Sequence, residues 1–257
     1  MIHDWVFYAL AIPAVILLGL AKGGFAGLGV AAVPLMALAT SPVEAAAITL
    51  PILIVQDVVS VWSFRKTWSG RILLIMLPGT AVGIFLGYSL AAFVKPAVVE
   101  LMVGTIAVAF SAYRLWADRR GPLALPTAGL PVWLDRALGF GAGILAGFTS
   151  QISHAGGPPF QIYVLPKRLA RDIFIGTSAI YFAVTNWMKV PAYLALGQFT
   201  RESLLTSAVL LPLAIASTWA GVLLVRRVSG EKFYTVIYAL LIVVGGKLVW
   251  DGVAGLV

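Results

Sequence analysis

The sequence predicts an all-α polytopic membrane protein with two inverted repeats, each a broken or re-entrant helical hairpin followed by three transmembrane helices. The 257-residue chain is 61% hydrophobic and only 11% charged, whereas soluble domains average roughly 25% charged residues. Two glycine-rich stretches interrupt apolar runs at corresponding places in the two halves. Most Lys and Arg residues fall into connections on one side, which is the bias that orients membrane proteins.

Composition also excludes several classes of function. The net charge of +8 does not indicate a nucleic-acid partner, because no basic run is interleaved with aromatic residues. The chain has no cysteine, so disulfides and thiolate chemistry are excluded. There is no Cys/His metal spacing either, and we expect no metal and no cofactor.

The first repeat begins with a broken hairpin. Residues 5–20 are expected to form an apolar helix that is kinked at Pro13. Residues 30–39 form a second apolar segment. At 1.5 Å per residue, this second piece reaches about half of a roughly 30 Å hydrocarbon core, so we expect a half-length return. A capping box at Ser41–Glu44 then begins the helix 43–64.

The chain divides into 1–117 as the first repeat, 118–133 as a Pro- and Gly-rich cytoplasmic connector, and 134–257 as the second repeat. The remaining predicted segments are two helices before the connector and, after it, a short apolar piece, a half-length piece and three helices: 72–94, 97–116, 134–150, 160–165, 170–188, 202–225 and 233–250. A faint internal repeat places a proline nine positions before a glycine in one helix of each half: Pro78 and Gly87, Pro212 and Gly221.

The basic residues predict the orientation. If each broken segment enters and leaves on the same side, thirteen collect on that side: Arg65, Lys66, Arg71, Arg114, Arg119, Arg120, Arg136, Lys167, Arg168, Arg171, Arg226, Arg227 and Lys232. Three fall on the other side, Lys95, Lys189 and Arg201, and Lys22 and Lys247 lie within the membrane. This excess marks the cytoplasmic side and places both termini outside.

The two breaks, Lys22–Gly29 and Thr149–Pro159, are the predicted binding regions. Broken backbone at membrane depth must be covered by protein or border a wet cavity. A helix that starts there offers N–H groups and its positive dipole end to an anion. We assign four glycines to the breaks: Gly24, Gly29, Gly156 and Gly157. The alternative, close helix packing, is favoured for glycines spaced by four: Gly19, Gly23 and Gly27, and Gly139, Gly143 and Gly147.

Polar side chains near the breaks have two interpretations each. Lys22 ends an apolar helix, and a charge at the bilayer centre costs at least about 2.5 kcal/mol, so an embedded lysine is expected to serve a site. Its alternative is snorkelling to the inner surface. His154 lies in the second break beside the donors Gln151 and Ser153, a combination that suits an oxyanion, and its alternative is a structural histidine with satisfied hydrogen bonds.

Asp57 is the only carboxylate well inside a predicted span. Gln56 and Asp57 on the helix 43–64 correspond under inversion to Asn186 on the helix 170–188. A protonatable acid beside an anion site would suit a coupling role. The alternative is an ion pair with Arg65 or Arg71.

The predicted substrate-binding set combines these groups with Gln161, which follows the second break: Lys22, Gly23, Gly24, Gly27, Gly29, Gln56, Gln151, Ser153, His154, Gly156, Gly157, Gln161 and Asn186. Asp57 and His154 are the predicted coupling groups. No catalytic residue is predicted.

The stretches Gly19–Gly29 and Gly147–Pro159 resemble the two glycine-rich segments of TauE/SafE-type sulfite exporters, and the resemblance covers nearly the whole chain. It implies a bacterial inner-membrane permease for sulfite, sulfonates, thiosulfate or related compounds. Carried over to matching positions, it places the pocket at 22–29 and 151–159.

The leading hypothesis is therefore a carrier for a small anion that works by alternating access. A passive channel for anions or small solutes is the alternative, and would carry far faster currents without countertransport. An enzyme is not predicted, because the intramembrane protease motifs are absent from the sequence. The expected partners are the lipid bilayer and a small anionic substrate, and a homodimer is compatible with the sequence.

Overall fold

Every regular element in the described part of the chain is a helix, which confirms the all-α class. The computed structural model describes Ile2 and residues 4–25, 28–90, 93, 95–119 and 131–256. In chain order the elements are α1 Trp5–Gly23, a 3-10 turn Leu28–Ala31, α2 Ala32–Ala37, α3 Pro42–Phe64, α4 Gly70–Leu90, α5 Pro96–Arg119, α6 Val132–Ser153, α7 Gly157–Val164, a 3-10 turn Leu165–Lys167, α8 Arg171–Ala195, α9 Arg201–Arg226 and α10 Gly230–Ala254. Gly27 and most of the predicted connector 118–133 lie outside the described residues.

Among the residues that the structure describes, five helices are long and apolar enough to cross a membrane, which agrees with a polytopic membrane protein. They are Trp5–Gly23, Val43–Phe64, Gly70–Leu90, Arg201–Arg226 and Thr235–Ala254.

Several helices of the second half are longer than the sequence predicts, and α10 extends from Gly230 to Ala254 instead of from 233 to 250. The short piece 134–150 is the 22-residue α6, because nothing between Thr149 and Ser153 prevents helix formation. The helix predicted at 170–188 is the 25-residue α8, which continues through Pro191 to Ala195.

The N-terminus of α3 forms half of the predicted capping box. The Ser41 side chain accepts a hydrogen bond from the Glu44 N–H at 3.2 Å, as predicted. The Glu44 carboxylate accepts a hydrogen bond from the Thr40 hydroxyl.

The described residues form two compact units, and each unit combines segments from both halves of the sequence. The first unit is Met1–Trp68 with Ile175–Val228, and the second is Ser69–Phe174 with Ser229–Val257. These units describe packing in space, whereas the division into repeats at 118–133 concerns the sequence and stays a prediction.

In the first unit, α1 packs against α9 through small residues. A Cβ atom on Gly23 would lie 2.5 Å from the backbone of Gly221, and one on Gly19 would overlap Ser217. Packing is therefore the role of these two glycines of α1, as the spacing of four predicts. The pairing of 19 with 217 and of 23 with 221 shows that α1 and α9 run parallel.

In the second unit, α4 packs against α6 in the same way. Added Cβ atoms on Gly143 and Gly147 would overlap the carbonyl oxygens of Met76 and Thr80. Positions 76 and 80 thus meet 143 and 147 in the same order, so α4 and α6 also run parallel. The predicted packing role of these glycines is confirmed.

The helices α5 and α10 form the other tight pair of the second unit. Gly104 lies against Gly245, and Gly252 lies against Leu101. Because the two sequence positions run in opposite directions, α5 and α10 are antiparallel.

An ionic cluster joins the start of α6 to the end of α7 and the start of α4. The carboxylate of Asp135 accepts hydrogen bonds from Lys167 at 2.5 Å, Arg71 at 3.2 Å and the Tyr163 hydroxyl at 3.2 Å. Asp135 lies in the first turn of α6, outside the five candidate spans. Burial opposes its charged form, but the hydrogen bond and charge of Lys167, followed by Tyr163 and Arg71, lower the pKa of Asp135 below 3.8.

Replacing Asp135 with asparagine is expected to reduce the free energy of unfolding by about 1 kcal/mol at neutral pH, because the charge-assisted bonds are lost. Since the folded-state pKa of Asp135 is lowered, its contribution is complete above the unfolded-state pKa and disappears as the pH falls through the folded-state pKa. The difference in thermal stability between the wild-type and variant proteins should therefore be constant near neutral pH and become smaller as the pH falls below the ordinary carboxyl pKa. A difference that is constant with pH would contradict this assignment.

Candidate functional site

The first break interrupts the chain directly after α1. Gly24 has a φ angle of 137°, a conformation that L side chains rarely adopt. Its N–H donates to Ala21 at 3.2 Å, and the Phe25 N–H donates to Leu20 at 3.1 Å, which is a Schellman motif. Gly29 lies beyond the break in the first 3-10 turn. The break is confirmed at Gly24, but the amides of Gly24 and Phe25 are bonded within the chain.

The last turn of α1 places Lys22 in a buried polar cluster. Its ammonium group donates to Oδ1 of Asp57 on α3 at 2.5 Å, and Asn186 on α8 donates to Oδ2 at 2.7 Å. Asp57 is only 2% exposed. The Ser60 hydroxyl donates to the Lys22 carbonyl oxygen at 2.6 Å, and the Phe182 ring centroid lies 5.4 Å from the ammonium nitrogen. Both oxygens of the carboxylate and the backbone end of α1 are therefore bonded.

This cluster decides between the alternatives for Lys22 and Asp57. Snorkelling of Lys22 is wrong, because its ammonium group turns inward to Asp57. The alternative pair of Asp57 with a loop arginine is also wrong. Arg65 instead donates to the Trp62 carbonyl at 2.8 Å, and Arg71 pairs with Asp135.

Lys189 is a member of the cluster that the sequence analysis misses. It lies one helical turn after Asn186 on α8, is 1% exposed, and interacts electrostatically with both Lys22 and Asp57. The sequence predicts a helix that ends at 188, which leaves Lys189 in a connection on the outer side. The spacing of three from Asn186 is the signal that places both side chains on one face.

Gln56 precedes Asp57 on α3, and the hydrogen bonds of its side-chain amide are long. Its amide nitrogen is 3.4 Å from the carbonyl oxygens of Val15 and Ala214, and its buried amide oxygen has no partner among the described residues. Asp57 is also one of the residues that line a groove of about 330 Å³ between α3 and α8, together with Trp62 and Trp187.

The second break, in the second unit, begins later than predicted. Gln151 and Ser153 are part of the last turn of α6, and the helix ends at His154, whose φ angle is 54°. The Ala155 N–H donates to the Thr149 carbonyl oxygen at 3.2 Å, and the Thr149 hydroxyl donates to the Ala155 carbonyl oxygen at 3.1 Å. Two polar groups of Thr149 therefore fix the turn.

Gly156 and Gly157 begin α7, as predicted, and they provide few backbone donors. Pro158 and Pro159 follow immediately and have no N–H. The Phe160 N–H donates to the Gly156 carbonyl oxygen at 3.4 Å. The amide donors at this helix start are therefore those of Gly156 and Gly157.

Gln161 carries the clearest unsatisfied polar group in the second unit. It is 1% exposed, and neither its amide nitrogen nor its amide oxygen has a partner among the described residues. The amide oxygen of Gln151 is also buried without a partner. Because burying an unpaired amide is costly, these two side chains are candidates for contact with a ligand.

The structure thus distributes the predicted site residues between two units. The first unit contains Lys22, Gly23, Gly24, Gly29, Gln56, Asp57 and Asn186, and the second contains Gln151, Ser153, His154, Gly156, Gly157 and Gln161. The expectation of a pocket formed by residues 22–29 and 151–159 stays a prediction.

A family model described as "Sulfite exporter TauE/SafE" matches residues 11–248. No curated protein and no solved structure matches the chain at a significant level. The match covers both breaks and the Lys22–Asp57–Asn186 cluster, and it begins within α1 and ends within α10. The chain is a multi-pass membrane transporter that belongs to the TauE/SafE sulfite exporter family.

Proposed function

We propose that the protein is a secondary transporter that moves a small sulfur-containing anion, such as sulfite or an organosulfonate, across the bacterial inner membrane by alternating access. The observation that carries this proposal is the buried cluster of Lys22, Lys189 and Asp57. With all three groups ionised, the cluster has one excess positive charge. In a medium of low dielectric constant, a bound monoanion would neutralise that charge.

Neutral donors beside the charges suit an oxyanion. The amide group of Asn186 lies at the carboxylate of Asp57, one turn from Lys189. In the second unit, the buried amide nitrogen of Gln161 and the N–H groups of Gly156 and Gly157 are further candidate donors. His154, just before these glycines, has a left-handed backbone conformation.

The ion pair also supports a coupling mechanism. An anion bound at Lys22 would compete with Asp57 for the ammonium group, and the carboxylate would repel the substrate. A proton on Asp57 would remove that repulsion. Binding of the anion and of the proton would therefore favour each other.

Helix directions within each unit support the inverted repeat. In the first unit α1 runs parallel to α9, and in the second α6 runs parallel to α4. If α6 and α4 are the repeats of α1 and α9, each unit contains one such pair. The antiparallel pair of α5 and α10 fits a two-fold axis in the membrane plane.

With Lys189 in α8, the difference in basic residues between the two sides, which predicts the orientation, becomes larger. The predicted outer side then retains only Lys95 and Arg201, against thirteen basic residues on the predicted cytoplasmic side. We propose that both termini are outside.

Transport of purified protein in liposomes tests the function. We expect sulfite or sulfonate flux driven by a substrate gradient, and counterflow when unlabelled substrate is present on the other side. Lys189→Met should reduce flux at least about tenfold, because it removes one of two cations worth about 1.4 kcal/mol or more of anion binding. Lys189→Arg should retain part of the flux.

Two controls make the transport result specific. Lys247→Met removes a lysine that pairs with Asp251 in α10, and should transport normally. Asp57→Asn should make the remaining flux insensitive to a proton gradient. Currents without counterflow would indicate a channel, and normal flux in Lys22→Met/Lys189→Met would contradict the proposed site.

A further inference from the structure

A second groove lies in the other unit, where α4 and α6 begin. It encloses about 830 Å³, and its apolar walls include Leu74, Pro78, Val132 and Phe140. Leu74 is 79% exposed and Val132 is 56% exposed. The helices touch tightly further along, through Gly143 and Gly147, so the groove exists only near their N-terminal ends.

Two arginines border this groove at one end. Arg71 and Arg136 both line it, and both side chains are exposed. One guanidinium nitrogen of Arg71 donates to Asp135 at 3.2 Å, so the other N–H groups of this guanidinium can donate to a second acceptor. The positive ends of α4 and α6 lie at the same level, because the two helices run parallel and both begin here.

The groove is placed at the depth of lipid headgroups and upper acyl chains. The candidate span Gly70–Leu90 begins at its arginine end. Trp133, with an exposure of 69%, lies beside Val132 at that end, and exposed tryptophan is typical of the membrane interface. From Arg71 to Pro78 the helix rises by roughly 10 Å, so the apolar walls extend into the hydrocarbon region.

We propose that this groove binds an anionic phospholipid. The phosphate would lie between the guanidinium groups of Arg71 and Arg136, and an acyl chain would lie along Leu74, Pro78 and Phe140. A basic pocket between membrane helices next to an apolar channel complements a molecule that has a negative headgroup and a hydrocarbon chain. The site is independent of the Lys22–Asp57 cluster, which is in the other unit.

Native mass spectrometry of the full chain with added phosphatidylglycerol or phosphatidylcholine tests this proposal. We expect the first phosphatidylglycerol to bind at least about fivefold more tightly than phosphatidylcholine, and Arg136→Gln to reduce this preference about fivefold. Arg136→Gln is the diagnostic variant, because Arg71 also pairs with Asp135. Arg71→Gln/Arg136→Gln should abolish the preference.

The matched control is Arg227→Gln, which removes an arginine outside the groove. It should leave the preference unchanged. Equal affinity for the two lipids, or an unchanged preference in the double variant with a wild-type melting temperature, would overturn the proposal. Displacement of phosphatidylglycerol by millimolar inorganic phosphate or glycerol phosphate would overturn it as well, because the arginines would then bind a free anion.

Discussion

Lys22→Met is expected to reduce the free energy of unfolding by about 3–5 kcal/mol and to abolish substrate flux. The ammonium group of Lys22 is the cationic partner of Asp57 at 2.5 Å, and the carboxylate is buried with only an amide from Asn186 on its other oxygen. The buried carboxylate then loses its hydrogen-bonded cation and keeps only the electrostatic interaction with Lys189 as compensation, and breaking a buried pair in this way costs more than the intact pair contributes. Thermal unfolding in detergent measures the first effect, and flux in liposomes the second.

A triple variant separates stability from transport. Lys22→Met/Asp57→Leu/Lys189→Met removes all three charges of the cluster, so its stability should return to within about 2 kcal/mol of the wild type, while flux stays absent. Lys247→Met, which breaks a partly exposed pair in α10, should cost less than about 1 kcal/mol. If Lys22→Met were as stable as Lys247→Met, the buried pair would have no structural role. Flux in the triple variant would contradict a role of the cluster in transport.

Gly143→Ala is expected to destabilise the protein by about 2–3 kcal/mol. Its Cβ atom would overlap the carbonyl oxygen of Met76, a backbone atom that cannot rotate away, so α4 and α6 would have to separate. Gly141→Ala, two residues away on a different face of the same helix, is the matched control. Position 141 has no atom of the described residues within 4 Å of an added Cβ.

The control should be neutral, or more stable by up to about 1 kcal/mol, because alanine favours helix more than glycine does. Melting temperatures of the two variants in the same detergent give the comparison. Equal melting temperatures would mean that the α4–α6 contact contributes little to the fold.

The sequence predicts local features of this protein well. The break at Gly24 follows from a glycine run inside an apolar segment, where no continuous helix can be satisfied. The packing glycines follow from their spacing of four. Both features depend on a few residues that are close in the chain, so the local sequence is sufficient to predict them.

Partners that are distant in the chain are not predictable in the same way. Lys22 and Asp57 are each identified as unusual, but their pairing depends on the register of α1 against α3. A helix face made of small residues does not identify the helix against which it will pack, so the sequence does not predict that α1 packs against α9. Lys189 is missed because the predicted helix ends at 188, whereas α8 continues through Pro191 to Ala195.

The assembly of each unit from both halves has a consequence for biosynthesis. Gly23 on α1 packs against Gly221 on α9, about 200 residues later in the chain. At a synthesis rate of about 5–20 residues per second, α1 has to wait about 10–40 s in the bilayer before its neighbour emerges from the ribosome. During that time the glycine face of α1 is exposed to lipid or to other membrane proteins. The nascent chain can therefore pack against a wrong partner until α9 is synthesised, shortly before translation ends.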